Sequence, residues 1–425
     1  FLIPLFSTVA LPGRFVLRAS HARPEGETLE GAPGGRNDPG RTTPVPSLLF
    51  GATAALFRWN LEMLGTETLL VLAIVVAAAF LAFHHGSPRA QIAAGLLAAA
   101  AMALRLDAAL AAAAIGLVLW VRDRRPPLPF AAAGLVPLSV WLAWLTHLFG
   151  TFLPNTWAAK RAELSLSVHG YTVSQWLWLR RSLPLPACAA LLGLAAAGLV
   201  VGLRSGLLRR PFFAALGLWV ALHEIVYRLA GVPFAPWYEE ALLQAVLFLA
   251  VLAAVALGAR LAALLRRGLA MGSREAIGWG FAVLALLPIL APSLADLGRQ
   301  WGRAPDPRFA VYEQVGRFLA RDAAGSPDAT VAASEIGVVG YVSRLRVLDL
   351  GGLISPQVLA ARAAGHLPDL LAAARPDYLV DVPAFRERGL AAFLARPEAT
   401  AAYRPVAAFT SPEYGGGTVR VWRRE

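Results

Sequence analysis

Thr151–Lys160, reading TFLPNTWAAK, carries the residues of this chain best suited to anion chemistry. Lys160 is the only lysine, and every other basic residue is arginine. An ammonium is a compact point charge that meets one oxygen end-on, a contact that a planar guanidinium does not reproduce. The stretch comes after the apolar run Phe130–Phe149 and opens a polar loop, so it stands where a membrane span meets water. Pro154 removes a backbone donor and biases Leu153 away from helix, which leaves Asn155 and Thr156 to cap the next helical turn. A cation beside a capped helix start is a place for a phosphate. A plain interfacial helix whose lysine snorkels to the headgroups fits the same letters.

The other candidates are charged or aromatic groups at the ends of apolar runs. Arg105 and Asp107 sit inside Gln91–Val121, where a charge costs roughly 2.5–3.5 kcal/mol on insertion scales. They form either a local ion pair at a helix end or, through Arg105, a hold on a lipid-linked phosphate. Glu67 opens a span, where a carboxylate meets the helix dipole favourably. Trp237 and Tyr238, in Trp237-Tyr238-Glu239-Glu240, fit an aromatic belt and a contact with a carrier lipid equally well. His147 and His223 lack ligand spacing and read as core or interfacial histidines, and Asp349 reads as the shaper of the turn before Gly351-Gly352. No metal-ligating pattern is present, and a divalent ion is not something these residues specify.

LPNTWAAK resembles the LPNT-x-x-AK segment of bacterial polytopic glycosyltransferases of the C type (GT-C), in their arabinosyl- and mannosyltransferase-like branch. Gly65-Thr66-Glu67-Thr68 resembles their G-M-E-T entry, with Thr66 in place of Met. Arg105-Leu106-Asp107 resembles their R-P-[DE] elbow without its proline. The run from Ser334-Glu335-Ile336-Gly337 through Gly340-Tyr341, Val347-Leu348-Asp349-Leu350 and Gly352-Leu353 resembles their C-terminal E-I-G-x-x-G-Y … V-x-D-L-x-G-L. The resemblance implies transfer of one sugar from a polyprenyl-phosphate donor to an extracytoplasmic glycan or lipid acceptor, with inversion. It makes Lys160 the first candidate for phosphate or acceptor contact, Arg105 the second, and Asn155, Trp237, Tyr238, Glu67 and Asp107 their neighbours. The family's proton-accepting carboxylate lies in a first outer loop. The only carboxylates of 14–46, Glu25, Glu27, Glu30 and Asp38, stand in no such pattern, so no catalytic base is assigned. A transporter or flippase of a lipid-linked intermediate, or a catalytically incomplete GT-C fragment, are the rival expectations.

These residues need elements to hold them, and composition says which. The chain of 425 residues is 57% hydrophobic and 16% charged, against about 25% charged for a soluble domain. It reads as an α-helical polytopic membrane protein with a C-terminal extracytoplasmic α/β domain. The net charge of +12 does not mark a nucleic-acid face, because from Asp296 onward 16 arginines nearly balance 14 carboxylates. The surplus lies in short loops between apolar runs, the positive-inside pattern of a multi-pass protein of a bacterial inner membrane. Cys188 is the lone cysteine, which excludes an intrachain disulfide.

Three regions are expected. Residues 1–46 are rich in Gly, Pro, Arg and Thr without periodicity and suggest a chain that has lost its first spans. Residues 47–295 form the membrane domain: a short helix at Ser47–Met63, spans at Thr66–His84, Phe130–Phe149, Leu183–Leu203, Phe212–Leu229, Ala241–Leu265 and Ile277–Leu294, and Gln91–Val121 bent at Arg105 into two short helices. Thr151–Leu179 and Gly231–Glu240 are outer loops. Residues 296–425 form an α/β domain, with a helix at Phe309–Arg321 and strands at Thr330–Ser334, Val347–Leu350 and Asp377–Asp381. A helix at Arg386–Ala395 comes next, then an antiparallel pair, Tyr403–Thr410 with Thr418–Trp422, around Gly415-Gly416-Gly417.

Overall fold

A computed structural model of the chain describes residues 49, 52–54, 57, 67–150, 152, 168–231, 235, 238–264, 271–300, 307–326, 328–383, 390–410 and 417–425. The segment 1–46, most of Ser47–Met63, Asn155, Lys160, Trp237, Gly415 and Gly416 lie outside these residues. Two compact units emerge: the described residues within Phe1–Trp144, Thr172–Tyr227 and Phe234–Gly298 form one, and those within Leu145–Tyr171, Arg228–Pro233 and Arg299–Glu425 the other.

The first unit is built of helices: α1 (Glu67–His84), α2 (Pro88–Leu104), α3 (Ala109–Asp123), α4 (Leu128–Phe149), α5 (Val168–Ser182), α6 (Leu185–Arg204), α7 (Pro211–Leu229), α8 (Glu240–Leu264) and α9 (Met271–Gln300), of which α4, α5, α7 and α9 run across the division between the units. Six of them, α1, α4, α6, α7, α8 and α9, are long and apolar enough to cross a membrane. With no water to satisfy backbone groups in a bilayer, a helix closing its own hydrogen bonds is what such sequences form. The chain is thus helical and multi-pass in character.

Gln91–Val121 is bent as its charges suggest. Ser87 caps α2, its Oγ accepting from the Ala90 N–H at 3.2 Å, with Pro88 in the first turn. The helix stops because Arg105 is extended (φ −146°, ψ 116°), and a 3₁₀ turn, Leu106–Ala108, reverses the chain into α3. Alanines line the packing of this hairpin on α1: Ala78, Ala79 and Ala82 pack with Ala94 and Ala98. Small side chains let apolar helices approach closely where lipid offers no hydrophobic contrast. α6 approaches α8 closely: a Cβ on Gly198 would stand 1.8 Å from the Leu249 carbonyl oxygen.

One expectation is corrected here and another extended. The outer loop Thr151–Leu179 does not stay irregular: from Val168 the chain forms α5. Its 15 residues are too few for a span and mix Thr, Ser and Gln with Trp and Leu, so no apolar run announced it. The last span, Ala276–Ala295, falls where Ile277–Leu294 was expected, but the helix that carries it runs from Met271 to Gln300 through Pro288 and Pro292. A proline costs one backbone bond and a kink, and the apolar face around it carries the helix past.

The second unit holds α10 (Pro307–Asp322), β1 (Thr330–Ala333), α11 (Ile336–Ser343), β2 (Arg346–Asp349), α12 (Pro356–Ala363), α13 (Leu367–Ala374), β3 (Tyr378–Asp381), α14 (Leu390–Leu394), α15 (Pro397–Ala402), β4 (Tyr403–Thr410) and β5 (Thr418–Arg424). The strands form one sheet in the order β2-β1-β3-β5-β4, with β1 parallel to β2 and β3, and β5 antiparallel to β3 and β4. Alternate residues feed two cores. Val331, Val380 and Val421 pack with Val315 and Leu319 of α10 and Val339 of α11. Ala332 and Leu379 pack with Val358, Leu371 and Phe393 on the other face. The result is a three-layer α/β/α unit, as the strand-and-helix alternation predicts.

Asp377 staples its strands: Oδ2 accepts from the Thr330 N–H at 2.9 Å and its hydroxyl at 3.1 Å, and Oδ1 from Arg424 at 2.6 Å. Partial burial pushes this carboxyl upward, but those donors outweigh it and hold it below the usual carboxylate range. Asp349 shapes its turn as expected, Oδ1 accepting from the Gly351 N–H at 2.7 Å and Oδ2 from the Ile354 N–H at 3.0 Å.

Candidate functional site

One end of the helical unit gathers polar side chains that the apolar helices would otherwise exclude. Arg105, carried by the extended residue between α2 and the 3₁₀ turn, is 12% exposed in its side chain. Its Nε and Nη2 donate to Asp107 Oδ1 at 3.1 Å and Oδ2 at 2.7 Å. This is the local ion pair, in the two-pronged geometry that suits guanidinium and carboxylate. Nη1 turns the other way, donating to the Thr68 hydroxyl at 3.1 Å and to Glu67 Oε1 at 3.3 Å. Glu67 and Thr68 open α1, so two segments some 38 residues apart in the chain meet at one guanidinium. The two contacts differ in kind: Asp107 is 19% exposed, and Glu67 51%.

α7 brings three more groups. Trp219, His223 and Tyr227 repeat at four-residue spacing and so share a helix face, and all three are buried. The Tyr227 hydroxyl donates to Asp107 Oδ2 at 2.5 Å, and His223 Nε2 lies 3.7 Å from the same oxygen. The His223 and Tyr227 rings stack with centroids 4.2 Å apart, and the Tyr238 ring lies 4.9 Å from that of Tyr227. Tyr238 also sits under the guanidinium, its ring centroid 5.6 Å from Arg105 Cζ. α8 begins with Glu240, 4% exposed, whose Oε1 accepts from Gln244 Nε2 one turn later at 2.7 Å. Beside it, Gln175 of α5 donates to Glu239 and, at 3.5 Å, to Glu224.

These groups surround a cleft of about 30 Å³ lined by Arg105, Asp107, Trp219, His223, Tyr238 and Glu240 among others. That volume holds one or two waters or a single protruding hydroxyl group, not a sugar ring. Two donor or acceptor atoms of its lining are buried without a hydrogen-bond partner, Trp219 Nε1 and His223 Nδ1. Buried polar atoms are normally satisfied, which sets these two apart; His223 Nδ1 has Glu224 Oε1 at 4.0 Å. Among the described residues, no three His, Cys, Asp or Glu side chains converge as metal ligands.

Of the residues singled out in the sequence, Arg105, Asp107, Glu67 and Tyr238 come together here. His147 stays on the exposed face of α4, while His223 leaves the role of a lone core histidine and joins the cluster. Trp219, Tyr227, Glu240 and Gln244 were missed. Their signal was present: 219, 223 and 227 form a polar-tipped stripe in an apolar helix, and 240 and 244 a pair one turn apart.

Residues 303–422 match a family model described as a domain of unknown function, DUF8728. No curated protein matches the chain.

Proposed function

We propose that this chain is a GT-C membrane glycosyltransferase that moves one sugar from a polyprenyl phosphate to an extracytoplasmic glycan or lipid, with inversion at the anomeric carbon. The observation that carries the reading is the Arg105 guanidinium, anchored on one edge by buried Asp107 and facing exposed Glu67 on the other. An incoming phosphate takes the Nη1 edge from Glu67, since that contact is the weaker and the better hydrated, while Asp107 keeps the guanidinium in place. The likeness of LPNTWAAK to the family's LPNT-x-x-AK segment makes Lys160 a separate candidate for phosphate or acceptor contact. Phosphate is a poor leaving group in an apolar site unless its charge is met, and donors preset for it stabilise the transition state more than the ground state. Charge polarity supports an outward-facing cleft: Glu67, Asp107 and Glu240 gather at this end of the helices, while Arg122 and Arg204 stand at the other. On this reading the protein is a multi-pass resident of a bacterial inner membrane, and the α/β unit lies outside the cytoplasm.

The test uses the full chain in proteoliposomes with synthetic farnesyl-phosphoryl arabinose and mannose as donors and octyl glycosides as acceptors. Release of farnesyl phosphate that depends on the acceptor, with formation of the glycosylated product, is the expected result. Lys160→Ala should lower transfer about 10²–10³-fold, and Lys160→Arg should not restore it. Donor consumption that never needs an acceptor, or movement of intact donor across the bilayer without bond cleavage, would replace the transferase with a hydrolase or a flippase.

A further inference from the structure

The end of the helical unit opposite the cleft is basic. α1 finishes there at His84, and Arg122 ties the last turn of α3 to it. Its Nη1 donates to the Ala82 carbonyl at 3.5 Å, and its guanidinium lies 5.5 Å from the Phe83 ring centroid. α7 starts at the same end, since Phe212, Ala215 and Leu216 pack with Ala82 of α1 and Leu119 of α3. Three short connections therefore meet over one apolar cluster: α1 to α2, α3 to α4, and α6 to α7. They bring Arg89, Arg124, Arg125, Arg204, Arg209 and Arg210, all exposed and none with a hydrogen-bond or ion-pair partner among the described residues. Asp123 is the one carboxylate within 84–89, 122–127 and 204–211, and both its oxygens accept from Arg122, at 2.6 and 2.8 Å. Six cations are left without a counter-charge from the protein.

The flanks of these connections say what supplies it. Trp120 and Val121, one turn before Arg124 and Arg125, are 55% and 60% exposed. Leu203, next to Arg204, is 48% exposed, and Leu128, at the start of α4, 69%. Unpaired guanidinium groups beside bare indole and aliphatic surface match an amphiphile, with a charged head and acyl chains, better than a free anion. We propose that this end of the helices is a binding surface for anionic phospholipids with a phosphatidylglycerol-type headgroup. Arg124 with Arg125, and Arg209 with Arg210, meet the phosphodiester oxygens, while Trp120, Val121, Leu128 and Leu203 flank the acyl chains. The backbone holds these arginines in place. Arg124 takes the left-handed conformation (φ 54°) that turns the chain out of α3, and Leu207, 1% exposed, anchors the 3₁₀ turn Leu207–Arg209. This role is independent of the transferase reading.

The test titrates the full chain in a neutral detergent with dioctanoyl phosphatidylglycerol, dioctanoyl phosphatidylcholine and inorganic phosphate, with binding read by native mass spectrometry. Phosphatidylglycerol should bind about tenfold or more tightly than phosphatidylcholine, and inorganic phosphate at the same concentration should not displace it. One basic residue near an anionic headgroup is worth roughly fivefold in binding. Arg124→Gln with Arg125→Gln, or Arg209→Gln with Arg210→Gln, should therefore weaken phosphatidylglycerol binding about 25-fold. Arg124→Lys with Arg125→Lys keeps the charge and should stay within about fivefold of wild type. Arg344→Gln with Arg420→Gln removes the same charge from exposed positions of the α/β unit and should leave binding within about twofold. Equal binding of the two lipids, unchanged binding in both glutamine pairs, or an equal loss in the Arg344 and Arg420 control overturns the proposal. Displacement by inorganic phosphate leaves a free-anion site and removes the lipid one. A lysine pair as weak as the glutamine pair traces the loss to the fold rather than the charge, and overturns it too.

Discussion

Asp107→Asn tests whether the buried cluster is organised as a charge pair. Asp107 accepts three hydrogen bonds, at 3.1 and 2.7 Å from Arg105 and 2.5 Å from Tyr227. An asparagine there keeps one acceptor oxygen and turns an amide N–H₂ toward donors, so the two-pronged contact is reduced to one prong and the charge compensation is lost. Arg105 is 12% exposed, and water cannot replace what it loses. Breaking a buried pair by removing one partner costs about 3–5 kcal/mol. Glu67 still holds Nη1, which puts the expected loss near the lower end, about 3 kcal/mol. For a cooperative unit of roughly 200 residues that is a fall of about 6–12 °C in midpoint. The assay is thermal stability of the full chain in detergent, read as the fraction remaining monodisperse after heating. Arg105→Met added to Asp107→Asn removes the stranded charge and should recover at least half of the loss, giving a coupling energy above about 1 kcal/mol. A single variant as stable as wild type, or a double variant whose loss is the sum of the two singles, would refute the charge-pair account.

Glu67→Gln removes the anion that competes for the Nη1 edge and should lower the KM for the farnesyl-phosphoryl donor by up to about fivefold, the scale of an exposed pair of about 0.2–1 kcal/mol; initial rates against donor concentration decide it, and a raised KM would make Glu67 a donor contact. Gly198→Leu drives a side chain into the Leu249 carbonyl and should lower the thermal midpoint sharply, whereas Gly193→Leu, with nothing within 4 Å of its Cβ position, should not. The Asp377 carboxyl is held below its unfolded value of about 3.9. Its stabilisation is therefore complete above that value and lost as pH falls through the folded one. Hydrogen-exchange protection of β1 and β3, corrected for intrinsic rates, should weaken in wild type as pH falls from 6 through and below the usual carboxylate range. Asp377→Asn should lack that drop.

Much of the fold was legible because membrane helices announce themselves by length and hydropathy alone. The bend at Arg105 was legible too, since no charged triplet sits mid-span without cause, and its ion pair is a consequence of adjacency. The strands of the α/β unit were readable as short apolar runs between turn residues, and Asp349 as a turn former. The site was legible only in part. Arg105 and Asp107 were found, but their partners on α7 were not. Trp219, His223 and Tyr227 are apolar or aromatic enough to vanish into a hydrophobic average, and their polar tips matter only because of the face they share. Glu240 was hidden by position: beside Trp237 and Tyr238 it looked like the wet end of an aromatic belt. What makes it unusual is burial without a cation, which depends on α1 and α7 closing over it. α5 was missed because its stabilising contacts are tertiary, and its own composition is that of a polar loop.

The order β2-β1-β3-β5-β4 leaves β2 and β4 as the two outer strands, each with one side of its backbone unclaimed. Such a border is a template on which another copy could add, and the chain blunts both. β2 is four residues long and begins with Arg346, too short and too charged to recruit a partner. β4 is longer, but Pro405 lacks an N–H, the pairing slips between Pro405 and Ala407, and Arg404 flanks the break. A unit tethered to a membrane is confined with its neighbours at high local concentration, where an unguarded strand would zip copies into a ladder. Proline, bulge and arginine at that border make crowding on the membrane tolerable without any covering partner.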